Sequence, residues 1–158
     1  MKITQEITPL NQQQLDDIKG WRDTGKEILE HYGVDKNISI YENLDAVYGQ
    51  WLKDVQDKHS EDSIILGLGT IFGDRLLHNH GTSWKMITHR DGEDFAVILK
   101  VGSIYPIDFV GQRVYGEDTG FFSSMETIIS DHYSKQVVQA RPRLHYGHLI
   151  QRLCDNMK

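Results

Sequence analysis

The sequence predicts an α+β fold with N-terminal helices, a small antiparallel sheet built on a β-hairpin, and C-terminal helices. Three observations predict it. Apolar residues before Gly81 recur at three- and four-residue steps, which is typical of amphipathic helices. A glycine-punctuated apolar segment follows Ser60. Alternating apolar residues flank Asp91-Gly92, a dipeptide typical of tight hairpin turns.

Length, charge and cysteine content limit the class of protein. A chain of 158 residues is expected to form one domain over residues 1–158. Its formal net charge of −6 favours a basic protein partner, such as a toxin domain, over nucleic acid. No apolar run is long enough for a membrane span, and no secretory signal is visible. A single cysteine, Cys154, allows no disulfide within the chain, so we expect a cytoplasmic protein of undetermined oligomeric state.

The first two helices are predicted from caps and spacing. Thr8-Pro9 is a typical helix start, with Thr8 as the N-cap and Pro9 as the first helical residue. We expect this helix to run from about Pro9 to Tyr32 and to end at Gly33, which suits a helix C-terminus. A second helix is expected over about residues 42–58, because its apolar residues lie on one face.

The glycine-rich segment has two interpretations. In one, residues 64–66 form a short strand, Gly67 to Gly69 a phosphate-binding loop and Ile71 onward a helix, but the G-x-G-x-x-x-G spacing is not the dinucleotide fingerprint. No lysine follows as in a P-loop, so we expect no cofactor. The favoured interpretation is one helix from Glu61 to about Asn79, capped by Ser60. Gly69 and Gly73 then share a face where another element approaches closely.

The hairpin is the clearest local signal. A two-residue loop at Asp91-Gly92 predicts a register in which His89 opposes Asp94. The same register places a set of large apolar residues on one face: Trp84, Met86, Phe95, Val97 and Leu99.

The remaining elements are shorter. A turn is expected at Gly102-Ser103, and a helix is expected to start near Pro106. A polar loop over residues 116–120 precedes a helix that starts at Ser123 or Ser124. A last helix is expected over about residues 146–156.

Part of the chain resembles a known family. The run Leu68-Gly69-Thr70-Ile71-Phe72-Gly73-Asp74-Arg75-Leu76, followed by Trp84, Tyr105-Pro106 and Arg113-Val114, is similar to a bacterial family of domains of unknown function. Its members show a glycine-rich LG-x-x-FG-[DE]-x-L helix, a tryptophan strand and a YP segment. The resemblance covers about residues 60–115. It implies a bacterial origin and an α+β domain, and it brings no catalytic residue.

The candidate metal ligands are His78, His80, His89 and Asp74. The two histidines of His78-Asn79-His80 form an H-x-H pair, and a zinc site needs three or four converging ligands. The simpler interpretation places both at a helix C-terminus, which histidine suits. No G-x-S-x-G nucleophile motif is present, and carboxylate pairs such as Glu93-Asp94 fall at expected turns, where solvation explains them.

Trp84, Tyr105 and Arg113 are the candidate binding residues. If the Tyr105 segment packs beside the hairpin, Arg113 lies near Asp74. This pair has a structural interpretation, an internal ion pair, and a functional one, the rim of a pocket for an anionic ligand. Any working surface is expected in the less patterned segments 33–41, 78–83 and 115–122.

A small acidic chain without a catalytic constellation favours a non-enzymatic protein-binding module, of the kind that bacteria use as toxin-neutralising immunity proteins. Two alternatives remain open. One is a small metal-dependent hydrolase that uses the His78/His80 region. The other is a small-ligand sensor with a pocket between the third helix and the sheet.

Overall fold

A computed structural model describes residues 5–56, 58–100, 102–116 and 121–136. Within these ranges the fold is α+β, as the sequence predicts: helices flank a four-stranded antiparallel sheet. The elements are, in chain order, β1 (Glu6–Pro9), α1 (Gln12–Tyr32), α2 (Ile40–Lys53), α3 (Glu61–His80), β2 (Gly81–His89), β3 (Gly92–Leu99), β4 (Gly102–Ile104), α4 (Pro106–Gly116) and α5 (Phe121–Gln136). No helix in the described ranges has the length and apolar character needed to cross a membrane.

The strand before α1 corrects the predicted first helix. Residues Glu6–Pro9 pair with β2 as an edge strand, so Thr8 is not the N-cap of a helix. Pro9 is tolerated because it lies at the end of an edge strand. Asn11 caps α1 instead, in a reciprocal capping box with Gln14, and the helix ends at Gly33 as expected.

The second helix begins earlier and ends earlier than predicted. Ser39 and Glu42 form a capping box, which starts α2 at Ile40. The helix ends at Lys53, because Asp54 adopts an extended backbone conformation and its carboxylate accepts a hydrogen bond from the Tyr32 hydroxyl at 2.9 Å.

The hairpin forms where predicted, but its register is shifted by two residues. Gly92 pairs with His89, so Arg90-Asp91 form the loop and Met86 opposes Phe95. Gly92 has a φ of 143°, a conformation that other residues rarely adopt, and it enters the strand instead of closing the turn. A shift of two keeps every side chain on its predicted face.

The expected turn at Gly102-Ser103 is also wrong. Both residues belong to β4 and pair with Leu99 and Ile98. Since β4 pairs only with residues 97–99 of β3, the chain leaves the sheet early and turns into α4 at Pro106. Among the described residues, no strand therefore pairs with the edge of β3 over Glu93–Ala96 on that side.

The glycine-rich segment is one continuous helix, capped by Ser60, and the strand-and-loop interpretation is wrong. It contacts α1, α2, α4, β2 and β3, so it is the central helix. Gly67 crosses Gly25 of α1: a Cβ added to Gly67 would lie 2.9 Å from the Gly25 nitrogen. We refer to this contact as the glycine crossing. The predicted contact faces are confirmed, because Gly69 lies against Ile107 and Gly73 against the indole of Trp84.

The C-terminal helices complete the core. Phe109 of α4 and Phe122 of α5 pack against Phe72 of α3, and Phe121 of α5 packs against Phe109. Helix α5 begins at Phe121 and not at Ser123, because the Asp45 carboxylate of α2 accepts hydrogen bonds from the Phe122 and Ser123 amides. The expected loop over 117–120, the expected helix over 146–156 and Cys154 lie outside the described residues.

Candidate functional site

Three of the four candidate metal ligands, His80, His89 and Asp74, have separate local partners. His78 and His80 lie in the last turn of α3, where His78 is exposed and His80 lies 3.6 Å from a Glu126 oxygen. His89 of β2 contacts the Asp94 carboxylate at 2.6 Å. In the part of the chain that the structure describes, no three His, Cys, Asp or Glu side chains are grouped to hold a metal ion.

Asp74, the fourth candidate, links three elements of the fold. Its carboxylate accepts hydrogen bonds from Arg22 Nε at 2.5 Å, Arg22 Nη2 at 3.0 Å and Trp84 Nε1 at 2.9 Å. The hydrogen bond to Asp74 raises the pKa of the Arg22 guanidinium. The two side chains are about one-third exposed, so this bidentate pair ties α1 to α3 and β2 at the edge of the core.

The candidate binding residues Trp84, Tyr105 and Arg113 also lie in different surroundings. Trp84 belongs to the Asp74 group. Arg113 does not reach Asp74, whose partner is Arg22. The Arg113 guanidinium carbon lies 5.5 Å from the Phe109 ring centroid, and its backbone carbonyl accepts a hydrogen bond from Tyr48. Helix α1 crosses α3 at the glycine crossing and so brings Arg22 to Asp74. The Tyr105 phenol lies near Asp94 and Asp108, whose charges contribute to its raised pKa, and these two carboxylates line a cavity.

That cavity has a volume of about 320 Å³ and opens where β3 passes the end of β4. We refer to it as the acidic cleft. Four elements line it: α1, α3, β3 and α4. Its described lining residues are Trp21, Ile65, Leu66, Glu93, Asp94, Phe95, Ile107, Asp108 and Gly111.

Aromatic and aliphatic groups form one wall of the cleft. Trp21 of α1 meets Phe95 of β3 edge to face, with ring centroids 5.0 Å apart. Ile65 and Leu66 come from the first half of α3, and Ile107 from the first turn of α4. Gly69 allows this arrangement, because it lets the α4 backbone approach α3 at Ile107.

Carboxylates form the other wall. Asp94 accepts from His89 if that nitrogen is protonated, and Asp108 accepts a hydrogen bond from Gln112 at 2.9 Å. The pKa of Asp108 is raised, mainly by partial burial of its carboxyl group and to a smaller extent by the nearby charge of Asp94. The residue as a whole is exposed to solvent. Burial, Asp94 and Asp108, in that order, raise the pKa of the Tyr105 phenol. Burial is the larger cause of both shifts, and the smaller contribution from Asp94 shows that this carboxylate lies close to Asp108 and Tyr105.

The chemistry of the cleft suits a cation with an apolar body. Three carboxylates line it, and no described lining residue is basic. An anionic ligand would meet like charge there, whereas an amine or a guanidinium would be attracted by the carboxylates and by the aromatic rings. The anion pocket considered for Trp84, Tyr105 and Arg113 therefore has no counterpart at this cavity.

Sequence reasoning missed the cleft. In the sequence, Glu93-Asp94 fits a solvated turn, and nothing singles out Asp108. The described part of the cleft lies outside segments 33–41, 78–83 and 115–122, where a working surface was expected. One usable signal was present: Asp108 lies two residues after Pro106, in the first turn of a helix that directly follows an extended segment.

A protein-family comparison agrees with the resemblance seen in the sequence. The profile of a family described as "Domain of unknown function (DUF3806)" matches residues 43–122, about half of the chain, and the chain belongs to this family. The match reaches from α2 to the start of α5 and so includes most of the acidic cleft. No curated protein and no solved structure matches the chain.

Proposed function

We propose that this member of the DUF3806 family is a non-enzymatic protein-binding module whose partner presents a basic surface. The observation that carries the proposal is the acidic cleft, where Glu93, Asp94 and Asp108 lie beside the aromatic pair Trp21 and Phe95. Aromatic anchors flanked by charge are typical of protein recognition sites.

The net charge supports the same proposal. A chain with a formal charge of −6 attracts a basic partner at separations up to about the Debye length, and this attraction speeds association. The cleft then provides the short-range contact. A toxin domain of a bacterium is one such partner, in which case the protein acts as a cytoplasmic immunity protein that neutralises the toxin by covering its basic surface.

Affinity purification with matched baits tests the proposal. Wild-type protein is compared with Asp94→Asn/Asp108→Asn, which alters the cleft, and with Glu27→Gln/Glu30→Gln, which alters two exposed carboxylates of α1. Both double variants lose two negative charges, so general electrostatic attraction changes equally. We expect wild type and the α1 variant to retain one basic protein that the cleft variant loses.

The outcomes decide between specific and general attraction. Equal loss with both double variants, or retention of an acidic protein, contradicts the proposal. If the retained protein arrests cell growth and co-expression of this chain restores growth, the immunity role is supported. A toxin gene beside the gene for this chain supports the same role.

A small-ligand sensor is the second candidate, because the cavity lies between the third helix and the sheet as that hypothesis requires. A thermal-shift screen of organic cations tests it. A metal-dependent hydrolase has less support, since His80, His89 and Asp74 contact different groups and His78 is exposed. Metal analysis of the purified protein tests that alternative.

A further inference from the structure

We propose that the acidic cleft binds the guanidinium of an arginine side chain presented by a protein partner. This inference rests on the proposed function and specifies the chemistry of the group that is bound. It follows from the size of the cavity, from its apolar wall and from the position of its carboxylates.

The size favours a single long side chain. A cavity of about 320 Å³ is at the small end of ligand clefts, which range from about 300 to 1,000 Å³. Ile65, Leu66 and Ile107 provide an apolar surface for the methylene stem of such a side chain. The partner's backbone then remains outside, at the edge of β3.

The aromatic pair favours guanidinium over ammonium. Trp21 and Phe95 supply the aromatic part of the wall. A guanidinium is planar and weakly hydrated, so it stacks on aromatic rings at a smaller desolvation cost than the compact lysine ammonium.

The carboxylates lie on two different elements, Asp94 on β3 and Asp108 on α4. One oxygen of Asp94 contacts His89, and one oxygen of Asp108 accepts from Gln112. Among the described residues, no group hydrogen-bonds to the second oxygen of either carboxylate. A guanidinium carries five donors in a planar fork and can serve acceptors on two sides at once.

The same geometry favours an arginine within a protein over the free amino acid. The described lining residues include three carboxylates and no basic group. The α-carboxylate of free arginine would therefore be repelled without a local counter-charge, whereas a peptide bond removes that charge. A metal ion is disfavoured because the described residues contain no suitable group of three ligands.

A titration followed by NMR tests the inference with defined probes. The probes are Nα-acetyl-arginine methylamide, the matching lysine compound, and the citrulline compound, which is a neutral isostere of arginine. We expect the arginine compound to bind about tenfold more tightly than the citrulline compound and about threefold more tightly than the lysine compound. Free L-arginine is expected to bind more weakly than its capped form.

Variants separate the cleft from general charge effects. Asp108→Asn is expected to weaken arginine binding about tenfold, while Glu27→Gln/Glu30→Gln keeps affinity within about twofold. A thermal melt of each variant distinguishes loss of binding from loss of folding.

Each outcome has a definite meaning. If the lysine compound equals or exceeds the arginine compound, the guanidinium inference fails and the proposed basic partner stands. Stronger binding of free L-arginine contradicts the peptide-borne source. If the citrulline compound binds equally, or if Asp108→Asn retains full affinity, the inference is overturned, and the affinity purification then decides separately whether a protein partner exists.

Discussion

Helix α3 meets its surroundings in two contrasting ways. At the glycine crossing, the backbones of Gly25 and Gly67 touch and leave no room for a side chain. Beside Ile65 and Leu66, the same helix borders an open cavity lined by carboxylates. The first region is closely packed, whereas no described residue fills the second. The difference indicates that Gly25 and Gly67 position the proposed binding surface without belonging to it.

The largest expected effect on stability comes from adding a side chain at the glycine crossing. A Cβ in Gly25→Ala overlaps the Gly67 carbonyl, a backbone group that cannot move aside without shifting α3. We expect a loss of about 3 kcal/mol in the free energy of unfolding, measured by urea denaturation. The control is Gly20→Ala in the same helix, where nothing lies within 4 Å of the added Cβ. It should gain up to about 1 kcal/mol, and equal stability of the two variants contradicts the packing role.

A smaller loss is expected at the Asp74 group. Asp74→Asn removes the ion pair with Arg22 and leaves one oxygen for three donors. We expect a loss of about 1–2 kcal/mol in the free energy of unfolding, because the group is only partly buried. Glu27→Gln is the control, since this exposed residue of α1 carries the same charge outside the group. An equal change in the midpoint of thermal unfolding for both variants would mean that general charge explains the effect.

The smallest expected effect has the opposite sign and belongs to the cleft. The pKa of Asp108 in the folded protein is raised above its ordinary 3.8, so its contribution to stability falls as pH rises above that value. Asp108→Asn removes this cost. We therefore expect the variant to be more stable than wild type at pH 7, by less than about 1 kcal/mol because the group is partly solvated.

The pH dependence of the stability difference between Asp108→Asn and wild type tests whether the charge of Asp108 causes it. Below about pH 3.8 the Asp108 carboxyl of wild type is protonated, so it is neutral like the asparagine of the variant. The difference in stability between the two proteins should disappear there. Denaturant unfolding at a series of pH values measures it, with Glu27→Gln as the control for an exposed carboxylate. A stability advantage that persists at low pH would show that packing, and not charge, causes it.

Local signals predicted much of the fold. Ser60 and the spacing of Leu68, Phe72 and Leu76 place α3 within a residue of its observed end, because caps and periodicity act over short sequence distances. The two-residue register shift of the hairpin was not predictable in the same way. It depends on whether Gly92 closes the turn or enters the strand, and both alternatives place Trp84 on the same face.

Non-local contacts account for what the sequence did not reveal. The strand Glu6–Pro9 forms only because β2, far along the chain, offers an edge. Likewise Asp94 and Asp108 come together only because β4 is short and α4 turns back toward β3. Each carboxylate alone has an ordinary surface explanation, and their convergence with Trp21 has no local signature in the sequence.

The most direct test of the central claim uses the three tryptophans as reporters. Trp21 lines the acidic cleft, whereas the Trp84 indole N–H donates to Asp74 and the Trp51 indole N–H donates to the His59 carbonyl. On addition of Nα-acetyl-arginine methylamide, we expect the indole NMR signal of Trp21 to shift while those of Trp84 and Trp51 stay in place. A shift of Trp84 or Trp51 without Trp21 would contradict binding at the cleft.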